Sequence, residues 1–226
     1  VQIDAQEKSQ KNIFEAPLKI PLALSGTFGE LRLNHFHSGI DFKTNQEIGI
    51  PIFAPASGYV SRIKVSPTGF GKAIYIAHDN NLTTVYAHLE KFNKDLDKYV
   101  LIKQYKLKKF AIDLSLGKDE FKVGKGDIIG YTGNSGSSSG PHLHFEIRNS
   151  RNQHPLNPMN WKFNILDTTK PIIESIFIYN LNDPLNIKKE TIQEKKTIYG
   201  KFSLGIQTYD LLGLAENKNG INTIKV

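Results

Sequence analysis

Apolar and polar side chains alternate along much of this chain with a strand's period of two. Gly58-Tyr59-Val60-Ser61-Arg62-Ile63-Lys64-Val65 shows the alternation most clearly, as a half-buried strand requires. Leu22 to Gly29 reads as a strand ending in a glycine-rich turn. Shorter runs at Ile50–Pro55, Gly71–His78, Leu82–Ala87, Phe121–Tyr131 and 142–148 continue the β texture. Asp79-Asn80-Asn81 supplies a hairpin-type turn between two of them. Residues 1–20 are polar, then mildly amphipathic, and lead into the first strand.

The period changes between residues 91 and 121. Phe92, Leu96, Tyr99 and Val100 fall at i, i+4, i+7 and i+8, one face of a helix. This stretch predicts one or two short helices inserted in a β domain. After Pro158 the composition shifts, and Asp167-Thr168-Thr169-Lys170-Pro171 reads as a linker. Residues 172–226 hold strand-like runs such as Ile176–Tyr179 and Ile206–Tyr209, with a turn at Asn217-Lys218-Asn219-Gly220. About 55 residues accommodate four or five strands, few for a complete sandwich. The segment 165–226 is therefore expected to be a small sandwich-like β piece, either truncated and Ig-like or packed on the first domain.

Composition narrows the classes. With 226 residues, 39% of them apolar, thirteen Phe and nine Tyr, the chain can bury a core. Lys+Arg 29 against Asp+Glu 22 leave a net charge of +7, which favours an anionic partner. The lysines are scattered, apart from a denser run at Lys103–Lys109, and no nucleic-acid-binding motif is visible. The chain has no cysteine, which excludes disulfides, thiolate ligands and a cysteine nucleophile. No apolar run is long enough to span a bilayer. The first residues, Val1-Gln2-Ile3-Asp4-Ala5-Gln6, do not form a signal peptide, so for an exported protein this is the mature or trimmed chain.

The chemistry gathers in three segments: His37-Ser38-Gly39-Ile40-Asp41, Tyr86-Ala87-His88-Leu89, and Gly140-Pro141-His142-Leu143-His144-Phe145-Glu146. They hold four of the seven histidines. In a strand, His142 and His144 point to one face while Leu143 and Phe145 point to the other. Gly39 between His37 and Asp41 favours a turn that folds the two together. Zinc takes imidazole nitrogen and carboxylate oxygen readily, and a catalytic site keeps one position for water. His35 reads as a loop residue near the mouth of such a site, His78 as structural and His154 as exposed. The Gly/Ser-rich loop 133–140 lies directly before His142 and reads as shaping the site.

These motifs, His-x-x-x-Asp, Tyr-x-His-Leu and Gly133 to Glu146, together resemble the lysostaphin/LytM-type zinc endopeptidases over about residues 25–162. Ser139 stands where that family often has Thr, and Phe28-Gly29-Glu30-Leu31-Arg32 is similar to the segment ahead of its first ligand. The resemblance implies a mainly β fold, an antiparallel sheet with a groove for an extended peptide, over residues 21–164. It implies one zinc ion per chain held by His37, Asp41 and His144, with His88 and His142 as the non-ligand pair beside the metal. One of that pair takes a proton from water, and the other stabilises the oxyanion and helps protonate the leaving amine. Asn134, Ser135, Ser139 and Tyr86 become candidates for the substrate groove. The implied substrate is a peptidoglycan stem or bridge peptide, in an extracytoplasmic setting. The segments 91–121 and 165–226 depart from the family and are candidates for contacts with a protein partner. A competing reading is a blocked module that binds the wall or activates another hydrolase, with Asn34 or Asn12 as a fourth ligand. A third is a structural or adhesive protein that acts through its C-terminal segment.

Overall fold

The computed structural model describes residues 13–165, 167, 169–183, 187–192, 197–212, 217–221 and 224. Asn12 and most of the lead-in 1–20 lie outside the described residues. The chain divides into two compact units, Val1–Leu166 and Asp167–Val226.

The first unit is built from short strands: β1 (Leu24–Gly26), β2 (Ile40–Lys43), β3 (Pro51–Phe53), β4 (Gly58–Val65), β5 (Lys72–Ala77), β6 (Leu82–Ala87) and β7 (Lys91–Phe92). Helix α1 (Lys94–Leu107) follows, then β8 (Ile112–Ser115), β9 (Lys122–Val123), β10 (Ile128–Tyr131), β11 (His142–Asn149) and β12 (Pro155–Leu156). The main sheet runs β1-β2-β11-β6-β5-β4-β8, with β12 beside β11 and β9 beside β4. Its pairings are all antiparallel. A smaller antiparallel sheet runs β3-β10-β7.

Alternation decides which face of the main sheet becomes core. Ile40, Phe42, Ile63, Ile74, Ile76, Tyr86, Leu143, Phe145 and Ile147 are all fully buried on one side. Phe42, Phe145 and Phe163 close that layer with ring centroids 5.7–6.2 Å apart. The other side carries Asp41, His144 and Glu146 beside a second buried apolar cluster of Ala73, Tyr75, Val85 and Ala87, with Phe70 packed on it. Leu143 and Phe145 pack exactly opposite in sense to His142 and His144, so the apolar face anchors the strand that carries the imidazoles.

One helix forms between 91 and 121. Asn93 caps it by accepting from Leu96 N at 3.0 Å, and Asp97 returns a bond to Phe92 N at 3.1 Å. Asp95 and Asp97 in the first turn and Lys106 in the last suit the helix dipole. Leu96 and Val100 bury its inner face. The remainder of 91–121 is not inserted helix. β7 joins the small sheet, and β8 pairs with β4 along Arg62–Val65. Ile112 and Leu114 carry a strand alternation too short to outweigh the helical stretch before it.

The second unit contains β13 (Ile172–Asn180), β14 (Lys188–Thr191) and β15 (Phe202–Tyr209) in one antiparallel sheet of order β14-β13-β15. Asp210 bridges Asn219 beyond β15.

Candidate metal centre

β2 and β11 lie side by side, with Asp41 opposite His144 in register. His37 arrives from the turn before β2. A Cβ on Gly39 would sit 2.3 Å from the Phe145 carbonyl oxygen, so glycine is what lets this turn lie against β11. His37 Nε2, Asp41 Oδ1 and His144 Nδ1 then form a triangle with sides of 3.1, 3.0 and 2.9 Å. All three residues are buried.

The outer nitrogens of both imidazoles are engaged. His37 Nδ1 donates to the Thr27 carbonyl at 2.8 Å, and His144 Nε2 donates to Glu146 Oε1 at 2.8 Å. With those N–H groups turned outward, the inner nitrogens present lone pairs. Two lone pairs and a carboxylate oxygen then face one another in a buried pocket, an arrangement suited to a cation at the centre. Burial alone would raise the Asp41 carboxyl, but hydrogen bonds from His144 and His37 hold it far below the usual carboxylate range. Burial opposes charge on His144, yet Asp41 and Glu146 raise it to about 9. The donor set, two imidazoles and a carboxylate, is one that zinc accepts, and zinc–ligand bonds of about 2.0–2.2 Å correspond to tetrahedral edges of roughly 3.3 Å. The triangle fits such an ion with a small expansion.

Further residues hold the triangle in place, and the sequence reading had assigned them no role. Glu146 is wholly buried and accepts from His144, Ser38 Oγ and Arg148 Nε. Burial would raise its carboxyl, but His144 and Arg148 bring it down to about 2. Its place two residues after His144 on the same strand face was a usable signal. Arg32 Nη2 lies 3.2 Å from Asp41 Oδ2 and 3.1 Å from Glu30 Oε2. It restrains the Asp41 oxygen that is outside the triangle. Arg32 closes the Phe28–Arg32 segment that the resemblance marks, but only the hairpin between β1 and β2 brings its guanidinium to Asp41.

His88 and His142 stand beside the triangle with ring centroids 4.7 Å apart. His142 Nε2 is 3.6 Å from Asp41 Oδ1. Its Nδ1 donates to the Gly140 carbonyl at 2.8 Å, and His88 Nδ1 donates to the Ser135 carbonyl at 2.8 Å. Both rings therefore present Nε2. Burial, ahead of its neighbours' charges, lowers His88 to about 4. His88 holds a left-handed φ of 61°, a conformation uncommon outside glycine and concentrated at functional sites. Phe70 covers the centre, its ring 5.1 Å from that of His144.

A cleft of about 400 Å³ opens beside His142, lined by Ser25, Lys43, Thr44, Gln46, Ser139 and Gly140 among others. Ser139 lines this cleft, and Asn134 is exposed on the same loop. Ser135 is turned to structure: its hydroxyl accepts from Lys72 N and donates to Leu89 O. Tyr86 corrects the sequence reading. It is 0% exposed, on the core face, with its hydroxyl on Thr84; β6 ends at Ala87, and the left-handed turn at His88 carries that imidazole away from the face where Tyr86 stays. His35 and Asn34 are exposed and bonded to each other. His78 is buried between Ser57 O and Thr84 Oγ1, and His154 is exposed.

An antiparallel β domain with this His-Asp-His cluster has the form of a metallopeptidase. The chain belongs to peptidase family M23, whose sequence model matches residues 35–106 and 111–158. The match runs through nearly all of α1, so only residues 107–110 of the supposed insertion fall outside it. The DD-carboxypeptidase/endopeptidase Mpg of Neisseria meningitidis serogroup B is 33% identical over 159 residues, 68% of this chain and 30% of that protein. Lysostaphin of Staphylococcus staphylolyticus is 32% identical over 126 residues, 53% of this chain and 21% of that protein. This chain thus spans less than a third of either relative. A chain of the SpoIIQ–SpoIIIAH pore forming complex superposes with a TM-score of 0.50 at 22% identity, over 67% of this chain and 92% of that one. That likeness concerns the fold.

Proposed function

We propose that this protein is a zinc-dependent metalloendopeptidase that hydrolyses peptide bonds in peptidoglycan stem peptides or cross-links, outside the cytoplasm. The observation that carries the reading is the triangle of two imidazole lone pairs and one carboxylate oxygen, closed on itself and flanked by two more imidazoles. The activities for which Mpg, a DD-carboxypeptidase/endopeptidase, and the Vibrio cholerae peptidoglycan DD-endopeptidase ShyA, 32% identical over 111 residues, are named support the substrate class. The net charge of +7 suits an anionic wall.

His37, Asp41 and His144 would hold the ion. When bound, zinc supplies Lewis acidity, which acidifies water and polarises a scissile carbonyl. His88 and His142 hold and move protons at Nε2, each ring fixed by a backbone carbonyl at Nδ1. Arg32 and Glu146 keep two of the ligands oriented. Ser139 and the cleft beside it receive the peptide. Phe70 limits water at the centre.

The test is digestion of purified cross-linked peptidoglycan, with mass analysis of the released fragments, with and without a zinc chelator. Chelator-sensitive fragments are expected, and their masses name the bond. A folded, zinc-loaded protein that released nothing would overturn the catalytic reading in favour of a blocked or activating module.

A further inference from the structure

The outward side of α1 takes no part in the fold or the metal centre. Leu96 and Val100 turn one side of this helix onto the domain, so its other side would ordinarily be polar. It is not: Leu101 is 53% exposed, Ile102 55%, Tyr105 77%, and Phe110, just past the C-cap, 65%. Helical geometry places Leu101, Ile102 and Tyr105 on one side, away from Leu96 and Val100. Leu107, nearer the inner side, is still exposed, so the last turn stands clear as a tip, with a shallow open hollow of about 460 Å³ between Leu101, Tyr105 and Phe110. Gln104 donates to the Phe110 carbonyl at 2.6 Å, which fixes Phe110 close to Tyr105.

Lysines are dense along the helix that ends in this apolar tip, four of them in its second half and just past it. Lys94, Lys98, Lys103, Lys106, Lys108 and Lys109 stand against Asp95 and Asp97, a local net of +4 within a chain of +7. Both aspartates lie in the first turn, at the far end from the tip. Among the described residues, the ion pairs formed by lysines involve Lys118, Lys122, Lys125 and Lys218 and none of these six. The complementary surface must be anionic at its outside and apolar just beneath, to match exposed apolar side chains ringed by ammonium groups. A bilayer with acidic headgroups has that order.

We propose that the C-terminal tip of α1 docks this protein on the surface of an anionic lipid bilayer. Leu101, Ile102, Tyr105 and Phe110 enter the boundary between headgroups and acyl chains, while the lysines lay their stems along it and keep their ammonium groups at the phosphates. Among the described residues no helix is long and apolar enough to cross a membrane, so the attachment is peripheral. It sets where the peptidase works without entering its chemistry.

The full chain is sedimented with vesicles of phosphatidylcholine alone or of phosphatidylcholine with one third phosphatidylglycerol. Binding to the anionic vesicles is expected to be more than about tenfold stronger, since each lysine near such a surface contributes roughly fivefold, and to weaken with salt. The triple variant Leu101→Gln, Tyr105→Ser, Phe110→Ser is expected to lower that binding about tenfold or more, with helix content and Tm unchanged. Lys108→Glu with Lys109→Glu is expected to abolish the anionic preference while keeping the apolar side chains. Binding that neither variant alters overturns the proposal. So does the absence of vesicle binding by the folded protein, which leaves the tip to an acidic protein partner.

Discussion

Asp41 is the residue on which the metal centre turns. It shares Oδ1 with both ligand imidazoles and gives Oδ2 to Arg32. Asp41→Ala is expected to lose both stoichiometric zinc and peptidoglycan cleavage, measured by metal analysis and fragment release; full zinc retention would remove Asp41 from the ligand set. Arg32→Gln frees Oδ2 without touching the triangle, so zinc affinity should fall by about 10–100-fold, read by competition with a chromophoric chelator. Its fold stability should change little, because the guanidinium is partly exposed. His78 gives a separate signal. Burial, ahead of the bonds that oppose it, lowers its folded pKa from 6.5. The stability contributed by neutral His78 is complete above the unfolded value. It is withdrawn as pH falls from that value toward the lower folded one, because the unfolded chain then binds the extra proton. Urea midpoints should therefore fall below about pH 6.5, and His78→Gln should flatten that part of the profile.

At the scale of elements, the turn before β2 and the cap of α1 make opposite kinds of demand on sequence. Gly39 is required by space, since a Cβ would meet Phe145 O and Glu146 Cγ. Gly39→Ala should displace the turn and destabilise by about 1–3 kcal/mol, and it should weaken zinc binding at the same time. Asn93 is required by hydrogen bonding, and Asn93→Ala should cost about 1 kcal/mol in chemical denaturation with zinc affinity unchanged. The strands β4 and β6 were legible because runs of β-branched and aromatic residues without helix period mark them, although β4 carries a bulge between Val60 and Arg62 and β6 is buried on both faces. β8 was not, because four residues after a helix offer too little period. Tyr86 was misplaced for a related reason: the motif Tyr-x-His names neighbours in sequence, but His88 leaves the strand in a left-handed turn and Tyr86 remains inside.

For the whole molecule, the ligands come from two neighbouring strands and one turn of a single sheet. Zinc should therefore stiffen β2 and β11 together. Hydrogen exchange with and without chelator is expected to show added protection in peptides covering residues 24–44 and 140–149, and none in residues 172–209. Equal protection of the second unit would mean that the ion is held elsewhere or acts more widely.

The sequence by itself determined the β class of the first unit and the region of its helix, and it marked the three histidine-bearing segments that meet at the candidate metal centre. Alternation, periodicity and side-chain chemistry are local properties, and they survive without a structure. Tertiary structure decided the rest. Only strand register sets Asp41 opposite His144, and only the bonds from the outer N–H groups of His37 and His144 to Thr27 and Glu146 turn their lone pairs inward. Arg32 and Ser38 acquire their contacts through folding, and the apolar tip of α1 is visible only once its inner face is known to be covered. These are contacts between residues distant in sequence, and no local pattern encodes them.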